Sequence, residues 1–154
     1  MARGDVHWFV AYTQNSDGST VSTNLSTDTI KLGFIGNGTT CSIQLARPVW
    51  GTGGSTNVST FEVGTGTVYL GGGVTLATVT WSLSNTTVAL SAANITIAQD
   101  VAGFSTGYWA IGYVDTKTPK EGLFFLDLGG PVGISAGALT ITWAAGGIVN
   151  RVVT

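Results

Sequence analysis

The sequence has very little charge. Only 9% of its 154 residues are charged, six Lys+Arg and eight Asp+Glu, whereas about 25% is typical of a globular domain. Six cations cannot build a broad surface that follows a phosphate backbone, which argues against a nucleic-acid partner. A formal net charge of −2 also gives no attraction to an anionic membrane. A protein surface with so little charge has two explanations: it is extensively covered in an assembly, or the chain is simply a Thr-rich β-protein.

Cysteine and histidine are each present once. A single cysteine, Cys41, excludes an internal disulfide, and its setting predicts a buried, small apolar residue in a short strand. With one histidine, His7, and one cysteine, a zinc site would need carboxylates as its remaining ligands, and no spacing of carboxylates in the sequence supports such a site. We therefore expect no metal and no cofactor.

Long apolar runs are missing as well. No stretch approaches the roughly 18 residues that a membrane-spanning helix needs, so no membrane association is expected. The first five residues are polar and precede a short aromatic strand, unlike the apolar centre of a signal peptide. These features predict synthesis in a cytoplasm without export by a standard signal.

What the sequence does contain is alternation with a period of two. Ile30, Leu32 and Phe34 alternate with Lys31 and Gly33, and no segment sustains the helical period of 3.6. The pattern predicts about ten short strands punctuated by Gly, Asn and Pro, hence an all-β antiparallel sandwich or barrel in one domain, residues 1–154. Predicted strands include residues 6–12, 41–45, 61–63, 67–70, 74–83, 108–114 and 123–128, and the last two are predicted to form a hairpin.

No catalytic constellation emerges, so we predict a protein that is not an enzyme. Two Gly-x-Ser-x-Gly stretches, at 103–107 and 133–137, have neither a following helical pattern nor a downstream histidine. The carboxylates are scattered, and Asp28 is expected to bond backbone amides at the entrance of a strand. The Gly71–Gly73 run lacks a lysine and a helix, which indicates a turn rather than a phosphate loop.

The aromatic residues are the candidates for contact. Trp81, Trp109 and Trp143 alternate with apolar residues inside predicted strands, which favours the core. Trp50 lies beside Pro48 and a Gly-rich loop, which favours the surface. The strand over residues 6–12 is apolar or aromatic on both faces, so it is either buried on both sides or docked on a partner.

Several strand fragments resemble a family of tailed-bacteriophage virion proteins, the capsid cement or decoration proteins. The fragments lie at residues 4–9, 24–32, 79–83, 92–100, 103–111 and 139–143, and they span most of the chain. The resemblance implies a jelly-roll-like antiparallel β-sandwich with a structural role.

It further implies assembly in the host cytoplasm and binding to the outside of a phage shell, with the major capsid protein as partner. Such proteins usually act as dimers or trimers that bridge capsomers. Within this chain we expect contact through Trp8, Phe9, Tyr12 and Trp50, and we expect the charged turn at 115–121 to stay in solvent. The alternative is a tail-associated β-sandwich that binds a receptor or a carbohydrate.

Overall fold

A computed structural model describes residues 3–17 and 23–152. They form an all-β antiparallel β-sandwich of short strands, as predicted. The described strands are β1 Val6–Trp8, β2 Ile30–Ile35, β3 Pro48–Val49, β4 Thr56–Asn57, β5 Val74–Thr75, β6 Thr80–Ser84, β7 Thr87–Ser91, β8 Ile95–Ile97, β9 Gly107–Val114, β10 Gly122–Val132, β11 Leu139–Ile141 and β12 Val149–Val152. A helix, α1, covers Val10–Asp17, and a 3-10 turn covers Val58–Phe61. Neither helical segment in the described ranges has the length and apolar character that crossing a bilayer requires.

The main sheet has the strand order β1-β10-β9-β2-β5 and is buried on both faces. Its centre is the predicted hairpin, in which β9 pairs with β10 antiparallel, Ile111 opposite Phe125. Neighbouring residues of a strand point to opposite faces, so Phe124 enters one hydrophobic cluster and Phe125 the other. This double burial explains why residues 122–128 are buried without interruption.

Different parts of the chain cover the two faces. A second layer of strands, β12-β7-β6 and β11-β8, packs on the first face through residues such as Leu90, Ile141 and Val149. Irregular segments and the 3-10 turn cover the opposite face and contribute Cys41, Trp50 and Val58. The only parallel pairing among the described strands is the two-residue β3–β4 pair.

Several predicted strands are wrong. The strand predicted over 6–12 ends at Trp8, because the Phe9 carbonyl accepts from the amides of Tyr12 and Thr13 and the chain turns into α1. Residues 41–45 and 67–70 are irregular. Of residues 61–63, Phe61 ends the 3-10 turn and Glu62 forms only an isolated bridge with Ile35. Short apolar runs in loops resemble strands in sequence, although here only Cys41, Val63 and Tyr69 are buried and Ile43, Val68 and Leu70 are exposed.

The strand predicted over 74–83 is divided in two. Thr78 has a positive φ of 52°, which interrupts an extended chain and separates β5 from β6. As predicted, Gly71–Gly73 form a turn, and all three glycines have positive φ angles that L side chains rarely adopt.

Candidate functional site

Of the four predicted contact residues, Phe9 and Trp50 are buried, which is a correction. Trp50 is 7% exposed and stacks on Tyr113 with 4.8 Å between ring centroids. Its ring lies over Gly33, where a Cβ would collide with it. Phe9 is fully buried, 5.1 Å from Phe125. The glycine that makes room for Trp50 lies on β2, so local sequence around Trp50 gives no sign of its burial.

Trp8 and Tyr12, by contrast, come together at an open groove. Their rings stack with centroids 5.7 Å apart, and Trp81 meets Trp8 edge-on at 5.9 Å. This aromatic groove has a volume of about 470 Å³ and is also lined by Leu25 and Arg151. It lies between the β1–α1 end of the main sheet and the inner side of the second layer, where Trp81 is paired with the core residue Leu90.

The aromatic groove is held in place by hydrogen bonds. Trp8 Nε1 donates to the Asn150 carbonyl at 3.3 Å, and the hydroxyls of Tyr12 and Thr23 are 2.9 Å apart. Trp8 also packs edge-on against the buried Phe124. Because these contacts tie Trp8 to both layers, the groove is preformed rather than assembled on binding.

One wall of the aromatic groove is a turn closed by Asp28, the residue expected to bond backbone amides. Its Oδ2 accepts from the Asn24 amide at 2.7 Å, which confirms that expectation. Burial opposes ionisation of Asp28, but bonds from the Asn24 amide, Thr116 and Lys117 outweigh it and hold the carboxyl pKa below its usual value. The ionised carboxylate therefore maintains the groove wall.

Acid is expected to loosen this wall. Asp28 binds its proton less tightly in the folded protein than in the unfolded chain, so its stabilising contribution is complete above the ordinary value of 3.8 and is lost as pH falls through its lower folded pKa. We predict that Asp28→Asn lowers the urea midpoint at pH 7 and that the difference from the parent protein shrinks below pH 3.8. A difference in urea midpoint that is as large below pH 3.8 as at pH 7 would contradict this role of Asp28.

The charged turn at 115–121 is not simply in solvent, and this is a second correction. Glu121 is 2% exposed and accepts from Arg47 Nη2 at 2.7 Å. Asp115 accepts from both Lys31 and Lys120, at 3.0 and 2.7 Å. Three of the six Lys and Arg residues, Lys31, Arg47 and Lys120, are therefore paired with carboxylates of this turn.

The second layer ends in an open edge at β6. All five of its residues are exposed, and Leu83 and Trp81 expose 71% and 37% of their surfaces. The expectation of a buried Trp81 is therefore wrong. Within the part of the chain that the structure describes, β6 pairs only with β7. Period-two alternation identifies a strand but does not tell whether it lies at an edge, which is why sequence reasoning missed Leu83 and Trp81 as surface residues.

The single histidine and the single cysteine both lie against the hydrophobic cluster that contains Phe125. His7 Nε2 is buried without a hydrogen-bond partner, and its ring packs on Phe125 at 5.5 Å. Cys41 is buried, as predicted, and burial raises the pKa of its thiol to about 12. Among the described residues, no three His, Cys, Asp or Glu side chains form a group that could hold a metal ion.

Comparisons of the chain with protein-family models, curated proteins and solved structures find no match.

Proposed function

We propose that this chain is a non-enzymatic structural virion protein that binds the outside of a phage capsid and bridges neighbouring capsomers. The observation that carries the proposal is the uncharged, open β6 edge with its exposed Leu83. The strand fragments that resemble cement proteins supply the class of partner. The charge-poor composition agrees with a surface that is covered in an assembly.

The β6 edge differs from the sheet edges of most free proteins. Natural edges are protected by shortness, by charged side chains or by proline, because unpaired backbone groups recruit other strands. The main sheet follows this rule, since its edge strands β1 and β5 have three and two residues. β6 has five residues, Thr80–Ser84, and none of them is charged or proline. Its edge is therefore suited to adding a strand from another chain.

Repetition on a lattice makes such a contact effective. A single short strand addition binds weakly, but copies joined as a dimer or trimer bind several capsomers at once, and the second contact is effectively intramolecular. Each bridge adds a contact that must break before neighbouring capsomers separate. We propose the major capsid protein and further copies of this chain as the partners.

The number of copies of this chain in purified phage particles tests whether it lies on the capsid or on the tail. Quantitative mass spectrometry is expected to find this chain at a ratio to the major capsid protein close to stoichiometric. A few copies per particle would overturn the cement proposal in favour of the tail-associated alternative. Absence from the particles would overturn both.

A matched pair of charge variants tests the β6 edge. Leu83→Lys places an ammonium group at the edge and is expected to weaken association with particles that lack this chain by at least about tenfold, because an unpaired charge is costly at an interface. Val101→Lys adds the same charge at a site that is 84% exposed, on a different loop, and should bind like the parent protein. Sedimentation with the particles measures both. Equal binding by the two variants would refute docking through β6.

A further inference from the structure

We propose that the aromatic groove is a carbohydrate-binding site that takes an oligosaccharide. The inference goes beyond the capsid role and does not depend on where the chain lies in the virion. It stands on the lining of the groove, on its volume and on the contacts that hold it open.

The lining combines the two features that a sugar ring requires. A sugar has an apolar face of C–H groups and a rim of hydroxyls, and the electron-rich face of an aromatic ring attracts the weakly positive C–H groups. The aromatic groove supplies Trp8, Tyr12 and Trp81 for the first feature. For the second it supplies hydroxyl and amide side chains, which can each make more than one hydrogen bond. These polar groups belong to Thr13, Thr23, Asn24 and Ser26. The Thr23 hydroxyl bonds to that of Tyr12 and Asn24 Oδ1 accepts from the Ser26 amide, so the Asn24 amide nitrogen and the Ser26 hydroxyl are the groups offered to a ligand.

The size and charge of the aromatic groove favour a sugar over a macromolecule. Its volume of about 470 Å³ falls within the range of about 300–1,000 Å³ typical of small-ligand sites. Arg151 is the only charged residue among the described residues that line it. Neutral and acidic sugars can therefore enter without meeting a buried carboxylate.

The aromatic groove also has the rigidity that weak ligands need. Trp8 is held by its bond to the Asn150 carbonyl, by stacking on Tyr12 and by edge contact with Phe124. A preformed site spends little of its binding free energy on ordering side chains. Trp81 is 37% exposed and offers the accessible part of the aromatic surface.

A glycan array carrying neutral and acidic oligosaccharides is the first experiment, with the purified full chain as the probe. We expect binding to a restricted set of glycans, followed by a titration of tryptophan fluorescence with the best soluble oligosaccharide. If the chain binds only acidic glycans, the ligand is an acidic oligosaccharide. If it binds neutral glycans, the ligand is a neutral oligosaccharide. An array with no specific binding would overturn the proposal.

Two variants of β6 locate the site. Trp81→Ala removes an aromatic ring from the aromatic groove and is expected to weaken glycan binding at least about tenfold. Leu83→Ala is two residues away on the same strand, outside the groove lining, and should bind glycan like the parent protein. Isothermal titration calorimetry measures both, with circular dichroism as the control for folding. Unchanged binding by a folded Trp81→Ala variant would refute the site.

The glycan and capsid proposals fail separately. Copy number in the particle tests the capsid role without involving sugar, and the glycan array tests the aromatic groove without involving particles. If the chain is stoichiometric on the capsid and binds no glycan on the array, the capsid proposal stands and the glycan proposal is refuted.

Discussion

Trp50→Ala is expected to lower the free energy of unfolding by about 3–5 kcal/mol, the range for removing a large buried aromatic side chain. Trp50 is 7% exposed and lies flat on Tyr113, with the rings 4° from parallel. Gly33 leaves the space that the indole fills, and no neighbouring side chain occupies it. Truncation therefore opens a cavity that the surrounding sheet cannot close. Denaturant unfolding followed by circular dichroism measures the loss.

Trp81→Ala is the matched control for this prediction. The same atoms are removed, but Trp81 is 37% exposed at a sheet edge, so we expect a smaller loss, below about 3 kcal/mol. Equal losses at the two positions would mean that Trp50 does not belong to the core. A second check concerns particle binding, because a folded Trp50→Phe variant should bind capsids like the parent protein if Trp50 is structural.

Arg47→Met is expected to cost about 3 kcal/mol, the low end of the range for breaking a buried ion pair. Glu121 is 2% exposed, and Arg47 donates to its Oε1 from both Nε, at 3.1 Å, and Nη2, at 2.7 Å. Without Arg47 the Glu121 carboxylate loses its partner in a site that excludes water. About a third of the Arg47 side chain is exposed, which lowers the expected cost.

A double variant and a control distinguish the cost of leaving the Glu121 carboxylate unpaired from the cost of losing the Arg47 side chain. Arg47→Met combined with Glu121→Leu removes both charges and is expected to recover most of the lost stability. Lys120→Met breaks a more exposed pair, and Lys31 still holds Asp115, so its expected cost is below about 1 kcal/mol. Chemical denaturation of the four proteins measures these differences. A double variant as unstable as Arg47→Met would contradict the explanation.

The β9–β10 hairpin shows what period-two reasoning does well. Alternation predicts strands over residues 108–114 and 123–128 that form a hairpin, and the structure pairs them. The position of Asp28 before a strand predicts bonding to nearby backbone amides, and its carboxylate accepts from the Asn24 amide. Both predictions concern residues close in sequence, where local geometry leaves few alternatives.

The contact residues show where local reasoning stops. Proximity to a Gly-rich loop suggested a surface position for Trp50, yet its stacking partner, Tyr113, is 63 residues further along the chain. Trp81 alternates with apolar residues like a core residue, but its strand lies at an edge of the second layer. Whether an apolar face is covered depends on which segment packs there, and alternation contains no information about that segment.

By itself the sequence determined the class of this protein. The abundant period-two alternation dictates an all-β protein, because only pleated strands place every second side chain on one face. The tertiary structure alone decided which aromatic residues are accessible. Trp8 and Tyr12 meet Trp81 at the aromatic groove although about seventy residues separate them in sequence. Packing of the two layers brings them together, since contacts between layers depend on the path of the whole chain.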